Sequence, residues 1–288
     1  MNRRSTGVAK APATRKQTTD PAALIGAVEP PGLHVMTYNI RRTARVSRRS
    51  PDLWERRRPL LKRLLQQEKP ALLGIQEGLP EQVEFVAAAL GAGYSRIGRG
   101  RNADGTGEEC TMFYDTHRIS LDRWTQLWLS DNPHIPGSRS WGNMLPRIVV
   151  SADFTDKATG IRFAAFNAHF DHLSHASRTR SAAMLNDLVE GLDVPAIVMG
   201  DMNAGVRSAA YRTLTDGPLR DAWTVAGERL TPAWSTFSGY RKPKLGGKRI
   251  DWILVNASVT VEAMGINVAR FDGAAPSDHE PVQARLRF

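Results

Sequence analysis

The chain has 288 residues, 41% of them hydrophobic, and a formal net charge of +10 at pH 7. This length allows one large domain or two, with a substantial buried core. Cys110 is the only cysteine, which excludes an internal disulfide and is compatible with a reducing compartment, so we expect a cytoplasmic protein. No apolar run approaches the length needed to cross a bilayer, and we infer no obligate protein partner.

The first 32 residues differ in composition from the rest of the chain. Residues 1–32 are rich in Thr, Ala, Pro and basic side chains and are predicted to form a disordered basic extension. Arg3 and Arg4 resemble the start of an export signal, but the residues after them are polar and interrupted by Pro. The folded domain is therefore expected over residues 33–288.

Each half of this domain repeats one plan, in which two short apolar runs flank a helix. The runs are Val35–Asn39 and Ala71–Glu77 in the first half, and Phe163–Asn167 and Ala196–Asp201 in the second. Such a pattern indicates strand-helix-strand units with buried strands. If the halves pack as a pseudo-symmetric pair, an amide and a carboxylate from each converge at one end of the sheets. These four residues are Asn39, Glu77, Asn167 and Asp201.

Three helices are predicted from caps and apolar stripes. Ser50-Pro51-Asp52 has the residues of a helix start, and a leucine stripe follows it; a second stripe runs from Met184 to Leu192. The third helix is predicted over Pro80–Leu90 and ends at Gly91, where glycine tolerates a left-handed conformation. All three are interpreted as ordinary core helices.

Three further strands are expected downstream. Arg147–Phe154 and Ile161–Phe170 form two of them around a turn, and Arg249–Val255 forms the third. Asp251 near the start of the last strand needs a partner if it is buried, and His279 is the natural candidate. The alternative is a solvent-facing Asp251 on an edge strand.

Basic residues are concentrated between Arg41 and Arg63, where ten of them occur with only two acids. Such a stretch beside an active-site strand would attract a polyanion, with nucleic acid as the obvious candidate. The alternative is a set of solvated arginines on helix faces.

The polar motifs occur in an order that resembles the endonuclease/exonuclease/phosphatase superfamily. They are Asn39, Glu77, Asn-x-His-x-Asp (167–171), Gly-Asp-x-Asn (200–203), Asp251 and Ser-Asp-His (277–279), and the resemblance covers residues 33–288. It implies a four-layer α/β/β/α sandwich, with two central β-sheets flanked by helices. It also implies a phosphoesterase site that depends on Mg²⁺ or Mn²⁺.

The resemblance also assigns roles to these residues. Glu77 matches the principal metal-binding acid, Asn39 an amide lining the metal site, and Asp278 a further metal-site carboxylate. Asp201 matches the residue that orients or deprotonates the attacking water, with Asn203 beside it contacting phosphate. His169 matches a phosphate-binding imidazole, and Asp251 matches the acid that pairs with the last histidine, His279. Asn167 is assigned to substrate binding.

One position departs from the pattern of many nucleases in this superfamily. Their chains carry an acid two residues after the first Asn, whereas this chain has Arg41. The departure removes a possible metal ligand and favours one divalent cation over two.

The segment 130–147 is predicted to be a shaped loop that determines specificity. Arg139 and Arg147 would clamp phosphates and Trp141 would offer a stacking face. The alternative is that Trp141 anchors the loop on the core and Arg147 begins a strand. Glu108 and Glu109 are expected near the site as supporting residues.

Together these features predict a metal-dependent phosphoesterase that uses in-line attack of an activated water. Endo- or exonucleolytic cleavage of nucleic acid is the first expectation. The alternatives are a phosphatase for a small substrate such as a sugar phosphate or phosphoinositide, and a non-catalytic nucleic-acid-binding module.

Overall fold

The structure is a computed structural model and describes residues 20–288. Its strands, in chain order, are Leu33–Asn39 (β1), Leu72–Gln76 (β2), Tyr94–Ile97 (β3), Met112–Asp115 (β4), Ile119–Trp128 (β5), Ile148–Asp156 (β6), Arg162–His169 (β7), Ala196–Asp201 (β8), Arg220–Asp221 (β9), Glu228–Arg229 (β10), Asp251–Val255 (β11), Thr260–Ile266 (β12) and Val282–Arg287 (β13). Its helices are Trp54–Glu68 (α1), Pro80–Leu90 (α2), His175–Val189 (α3), Ala209–Thr215 (α4) and Ala222–Val225 (α5).

The strands form two sheets. One has the order β10-β12-β13-β1-β2-β4-β3 and the other β5-β6-β7-β8-β11-β9. Within the two predicted strand-helix-strand units, β1 pairs with β2 and β7 with β8, both in parallel. Each unit therefore brings the carboxyl ends of its two strands to one edge of its sheet.

The hydrophobic core consists of three clusters of buried residues. The largest cluster fills the space between the sheets, where residues such as Val35, Phe154 and Ile253 are fully buried. A second cluster lies beneath α3 and α4, and a third beneath α1 and α2. The predicted four-layer α/β sandwich is thus confirmed.

Several element boundaries differ from those predicted; for example, the strands expected over Arg147–Phe154 and Ile161–Phe170 are Ile148–Asp156 and Arg162–His169. α1 begins at Trp54, because the Ser50 Oγ accepts a hydrogen bond from the Asp52 N–H and closes a separate turn before the helix. The third predicted strand begins at Asp251 rather than at Arg249. The helix Pro80–Leu90 was predicted correctly, with Gly91 at its C-cap at a φ of 95°.

The segment before β1 differs from the prediction of a disordered extension over residues 1–32. The buried Glu68 carboxylate accepts hydrogen bonds from the backbone N–H groups of Leu24, Ile25 and Gly26. It also accepts one from the Asn267 amide. Residues 20–32 therefore lie against the domain, while residues 1–19 of the predicted extension are outside the described residues. Across residues 20–288, the helices are all too short or too polar to cross a bilayer.

Candidate active site

Polar residues from both sheets surround a cavity of about 520 Å³. It is lined at the carboxyl ends of the strands by groups of both charges. These are Arg41, Arg42, Glu77, Arg101, Glu108, Arg147, His169, His172, Asp201, Asn203, Asp278 and His279. Most of the residues predicted from the sequence therefore meet at one place.

Asn39 connects the two sheets at the base of this cavity. Its side-chain amide nitrogen donates to Asp201 Oδ2 at 2.9 Å and to Glu77 Oε1 at 3.1 Å. Its oxygen accepts from the Arg41 N–H at 2.9 Å. Because Asn39 presents its NH₂ to two carboxylates, it positions Glu77 and Asp201. Its place in the metal site stays a prediction.

Asp251 and His279 form a buried pair beside Asp201. His279 Nδ1 lies 3.0 Å from Asp251 Oδ2, and His279 Nε2 lies 3.8 Å from Asp201 Oδ2. Burial alone would lower the pKa of His279, but the charges of Asp251 and Asp201 raise it to about 10. The imidazole is therefore cationic at neutral pH, with Nε2–H available on the Asp201 side.

Burial and the neighbouring Asp251 carboxylate raise the pKa of Asp201 to about 7. Asp201 Oδ1 accepts the Asn203 N–H at 2.9 Å, which fixes the carboxyl plane. A carboxylate with this pKa is matched to take a proton near neutral pH.

His169 lies on the other side of Asp201, with Nε2 at 3.6 Å from Asp201 Oδ2 and 3.1 Å from the Asn203 amide nitrogen. Burial and the positive charges of Arg147 and Arg101 lower its pKa well below the ordinary value. One imidazole of the site is therefore neutral and the other cationic, which gives them different capacities to exchange protons.

Two carboxylates, Glu77 and Asp278, face the same guanidinium. Arg41 Nη1 lies 3.7 Å from Glu77 Oε2, and Arg41 Nε lies 3.7 Å from Asp278 Oδ2. Burial would raise the pKa of Glu77, but hydrogen bonds from Asn39 and the Arg42 N–H hold it below its ordinary value. Oxygen donors of this kind suit a hard divalent cation.

A second acidic group consists of Asp201, Asp251 and His279, whose ligand atoms lie within 4.8 Å of one another. This spacing is compatible with a metal ion. A protonated imidazole is a poor ligand, however, and both His279 nitrogens already face carboxylates.

Three residues of the cavity have a strained backbone conformation. Arg41, Glu77 and Asn203 have φ values of 56°, 63° and 47°, in the left-handed region that side chains other than glycine rarely adopt. Such conformations persist where the surrounding structure enforces them, which is common in functional sites. Here they turn Glu77 and Asn203 into the cavity directly after β2 and β8.

Two buried arginines form the wall opposite Glu77. Arg147 Nε lies 3.3 Å from Asp171 Oδ2, and Arg101 Nη1 lies 2.7 Å from Glu108 Oε2. Within residues 20–288, Arg147 Nη1 has no hydrogen-bond partner. An unpaired N–H on a buried guanidinium beside a cavity is a suitable donor to an anionic oxygen.

A model of the endonuclease/exonuclease/phosphatase family matches residues 36–279, a range that spans Asn39 to His279. The chain belongs to this family. Members of the family are divalent-metal-dependent hydrolases of phosphoesters, and the predicted resemblance is confirmed.

Several solved structures resemble this member of the endonuclease/exonuclease/phosphatase family. A family protein from Bacteroides vulgatus is 31% identical, with a TM-score of 0.83 over 89% of this chain and 99% of that one. A mannosyl-6-phosphatase from Bacteroides thetaiotaomicron is 30% identical, with a TM-score of 0.81 over 89% of this chain and 100% of that one. TDP2 from D. rerio, crystallised with a single-stranded DNA product, shares the fold at 16% identity, with a TM-score of 0.68 over 90% of this chain and 100% of that one.

In this family member, Asn167 does not line the cavity, contrary to its predicted substrate role. It is fully buried between the sheets, where its amide donates to the backbone oxygens of Ile75 and Thr111 and accepts from Gln76. The two asparagines lie at different distances from the ends of their strands. Asn39 is the last residue of β1 and pairs with Gln76 at the end of β2. Asn167 lies two residues before the end of β7, where His169 pairs with Asp201 at the end of β8. His169 therefore occupies the place at which Asn167 was expected.

Arg139 and Trp141 also lie away from the residues that line the cavity. The Arg139 guanidinium donates to the Met144 backbone oxygen. Trp141 packs partly against the core beneath α3 and donates its Nε1–H to Asp131. Of the predicted loop residues, Arg147 alone is part of the cavity wall, and Trp141 has the anchoring position that was the alternative.

Five residues of the cavity wall received no individual role from the sequence: Arg101, Leu145, His172, Phe237 and Ile250. Arg101 and Phe237 lie in segments without periodicity, so only the fold brings them to the site. The Phe237 ring is half exposed and lies 5.0 Å from the His279 ring. His172 follows the Asn-x-His-x-Asp motif directly, and this position was its only sequence signal.

The basic stretch 41–63 divides between internal and exposed arginines. The fully buried Arg57 donates to the backbone oxygens of Ile40, Arg41 and Asp52. Arg41 pairs with acids of the site, as described above. Seven basic residues of the stretch are exposed: Arg42, Arg45, Arg48, Arg49, Arg56, Arg58 and Lys62.

Proposed function

We propose that this protein is a divalent-metal-dependent phosphatase that hydrolyses a small phosphorylated substrate of about the size of a sugar phosphate. The observation that carries the proposal is the cavity of about 520 Å³, where the acids, the Asp251–His279 pair and two buried arginines come together. A cavity of this volume can accommodate a ligand of the size of a sugar phosphate.

Glu77 and Asp278 would hold the divalent cation, because both carboxylates line the cavity and face the same guanidinium, that of Arg41. The cation would stabilise negative charge on the phosphoryl oxygens. Glu77 has the stronger claim, since its pKa is held low while burial raises that of Asp278.

Asp201 would accept the proton of the attacking water. Its carboxylate is placed by Asn39 and Asn203, and its raised pKa suits a base near neutral pH. Cationic His279, fixed by Asp251, would donate its Nε2–H to a phosphoryl oxygen, and Arg147 would contribute a further N–H. Phosphoryl transfer needs positioning and charge stabilisation of this kind more than covalent help.

Three observations support a small substrate over nucleic acid. Arg41 and Arg57 of the basic stretch are engaged by Asp52, Glu77 and backbone oxygens, which leaves fewer cations for a polyanion. The mannosyl-6-phosphatase is 30% identical to this chain across nearly its whole length, whereas TDP2 is 16% identical. Leu145 and Phe237 add an apolar face suited to a sugar ring.

The test is a comparison of substrates in Mg²⁺ or Mn²⁺, with EDTA as the blank. Mannose 6-phosphate and glucose 6-phosphate are compared with single-stranded DNA and RNA oligomers. We expect kcat/KM for a sugar phosphate of about 10⁴ M⁻¹s⁻¹ or more, within the usual range of enzymes. Cleavage of oligomers without hydrolysis of any sugar phosphate would contradict the proposal.

A nuclease is the second candidate, and the exposed Arg45, Arg48 and Arg49 are the observation that favours it. If these arginines track a polyanion, neutralising all three should weaken binding to DNA or RNA. It should also flatten the salt dependence, because each lost phosphate contact removes roughly 0.7 to 0.9 from the log-log slope. An unchanged slope would remove this support.

A further inference from the structure

A second cavity adjoins the candidate active site. Its volume is about 690 Å³, and Asn203 lines both this cavity and the catalytic one. Its walls come from the start of α3, the segment 203–208 after β8, and the segment 246–248 before β11. A substrate held at Asn203 can therefore extend into it.

The lining of this second cavity is cationic. Arg178, Arg207 and Lys248 contribute three positive charges, His175 lies beside them, and no carboxylate belongs to the lining. Throughout residues 20–288 these three side chains form no ion pair with an acid. The catalytic cavity differs, because four acids there balance its arginines. A concave surface with charges of one sign and low-dielectric walls concentrates ions of the opposite sign.

Arg178 is a buried cation of this surface, and its guanidinium is held in place by neighbouring groups. Only 6% of the residue is exposed, and its guanidinium donates to the Asp171 backbone oxygen at 2.7 Å and lies 2.9 Å from His175 Nδ1. The charge of Asp171 attracts this cation without forming an ion pair with it, and an anion bound beside Arg178 would offset the remaining cost of burial. Arg207 and Lys248 are exposed and free to close around such an anion.

We propose that this second cavity is a subsite for a second phosphate group of the substrate. The scissile phosphate lies in the catalytic cavity and the other phosphate lies between Arg178, Arg207 and Lys248. This inference rests on the proposed phosphoester hydrolysis and narrows its substrate class to molecules with two phosphates close together. The second phosphate belongs either to a small bisphosphate or to the next phosphodiester of a nucleic acid.

The test measures binding by calorimetry in Mg²⁺, using Asp201→Asn so that turnover is slow. Binding is read directly, so the outcome does not depend on which phosphoester the wild type hydrolyses. One arm compares fructose 1,6-bisphosphate with fructose 6-phosphate. The other compares a thymidine tetranucleotide with a dinucleotide. Each ligand is measured again after adding Arg207→Ala and Lys248→Ala.

The matched control carries Arg162→Ala and Lys244→Ala. These are also one exposed arginine and one exposed lysine, and neither lines either cavity. We expect the preference for the ligand with more phosphates to fall about 10-fold in the test variant, since charge-assisted hydrogen bonds are lost. The control should keep the preference of the Asp201→Asn parent.

The arm that responds identifies the source of the second phosphate. A fall in the fructose arm alone assigns the subsite to a small bisphosphate, and a fall in the thymidine arm alone assigns it to a phosphodiester backbone. The proposal is overturned if neither preference falls, or if the control variant lowers the preference as much as the test variant. Failure of the substrate screen with a positive binding result would overturn the phosphatase and leave the subsite standing.

Discussion

Asp201 combines burial with contacts to several other site residues. It lies level with Asp251 on the neighbouring strand, accepts from Asn39 and is 3.8 Å from His279 Nε2. Its pKa of about 7 depends on burial and on the negative charge of Asp251. Replacing the Asp201 carboxylate with an amide can therefore remove its proposed function as a base while the side chain stays in place.

Asp201→Asn is therefore expected to lower kcat by roughly 10²- to 10⁴-fold with little change in KM, because a positioned general base is lost. The measurement is steady-state hydrolysis of the best substrate from the sugar-phosphate screen. Asp187→Asn, at an exposed position of α3, is the matched control. Retention of most of the turnover by Asp201→Asn would mean that another group activates the water.

Asp251 and His279 are expected to act as one unit, since the carboxylate fixes the imidazole that we propose donates to phosphate. Asp251→Asn and His279→Gln should each reduce kcat/KM, and the double variant should be scarcely slower than the slower single variant. Kinetics of the four proteins form the double-mutant cycle. Losses that multiply fully would show that the two residues work separately.

At the scale of elements, the turn between β1 and α1 carries Arg41 and Arg42 into the cavity. Arg57 of α1 holds this turn from beneath, with 2.8 Å to the Ile40 oxygen and 3.0 Å to the Arg41 oxygen. Arg57, which belongs to the stretch predicted to bind a polyanion, therefore holds the backbone of the site in place.

Arg57→Met should lower the free energy of unfolding by about 2 to 4 kcal/mol, because several buried carbonyl groups lose their donor. Arg56→Met removes the neighbouring exposed arginine and should change stability by less than about 0.5 kcal/mol. Urea unfolding of both variants provides the comparison. Equal, small changes in the two would contradict the structural role of Arg57.

Elements with a clear apolar period could be predicted from the sequence. The runs around Val35 and Ile197 and the helix Pro80–Leu90 lie as predicted, because local pattern and burial agree. The start of α1 could not be predicted. Ser50 has a hydroxyl that could cap a helix, but this hydroxyl accepts the Asp52 N–H and closes a separate turn. Propensity alone does not distinguish these two uses of one hydroxyl.

Site residues at strand ends were predictable where the register of the two halves agrees. Asn167 was misplaced because a two-residue offset between parallel pairs is not visible in the sequence. Arg101 and Phe237 have no local signal, since they reach the cavity from irregular segments. Their placement depends on long-range packing, which no single segment encodes.

At the scale of the whole molecule, residues 20–32 are tied to the domain through Glu68 and His34. Glu68 accepts three backbone N–H groups of this segment, and His34 Nδ1 lies 2.8 Å from the Gly26 oxygen. Burial lowers the pKa of His34 from 6.5, so the folded state favours the neutral imidazole. Across residues 20–288, no acceptor is found for a proton on His34 Nε2.

This pKa shift gives stability a defined pH dependence. Because the folded pKa lies below the unfolded value of 6.5, the contribution of His34 is complete above pH 6.5 and is lost as the pH falls toward the folded pKa. The loss approaches about 1.4 kcal/mol per pH unit at most. His34→Gln should flatten the fall in unfolding free energy below pH 6.5, measured by urea unfolding at several pH values. The exposed His117→Gln should not, and an unchanged slope in His34→Gln would contradict this account.

The proposed hydrolysis depends on a divalent cation held by Glu77 in the cavity. The most direct measurement is a titration of phosphoester hydrolysis and of bound metal with Mg²⁺ and Mn²⁺, in the wild type and in Glu77→Gln. The neutral amide loses the charge that holds a hard cation, so we predict roughly a 10-fold or greater rise in the metal concentration needed and near loss of activity, with unfolding unchanged. Metal binding and turnover in Glu77→Gln equal to those of the wild type would contradict the account.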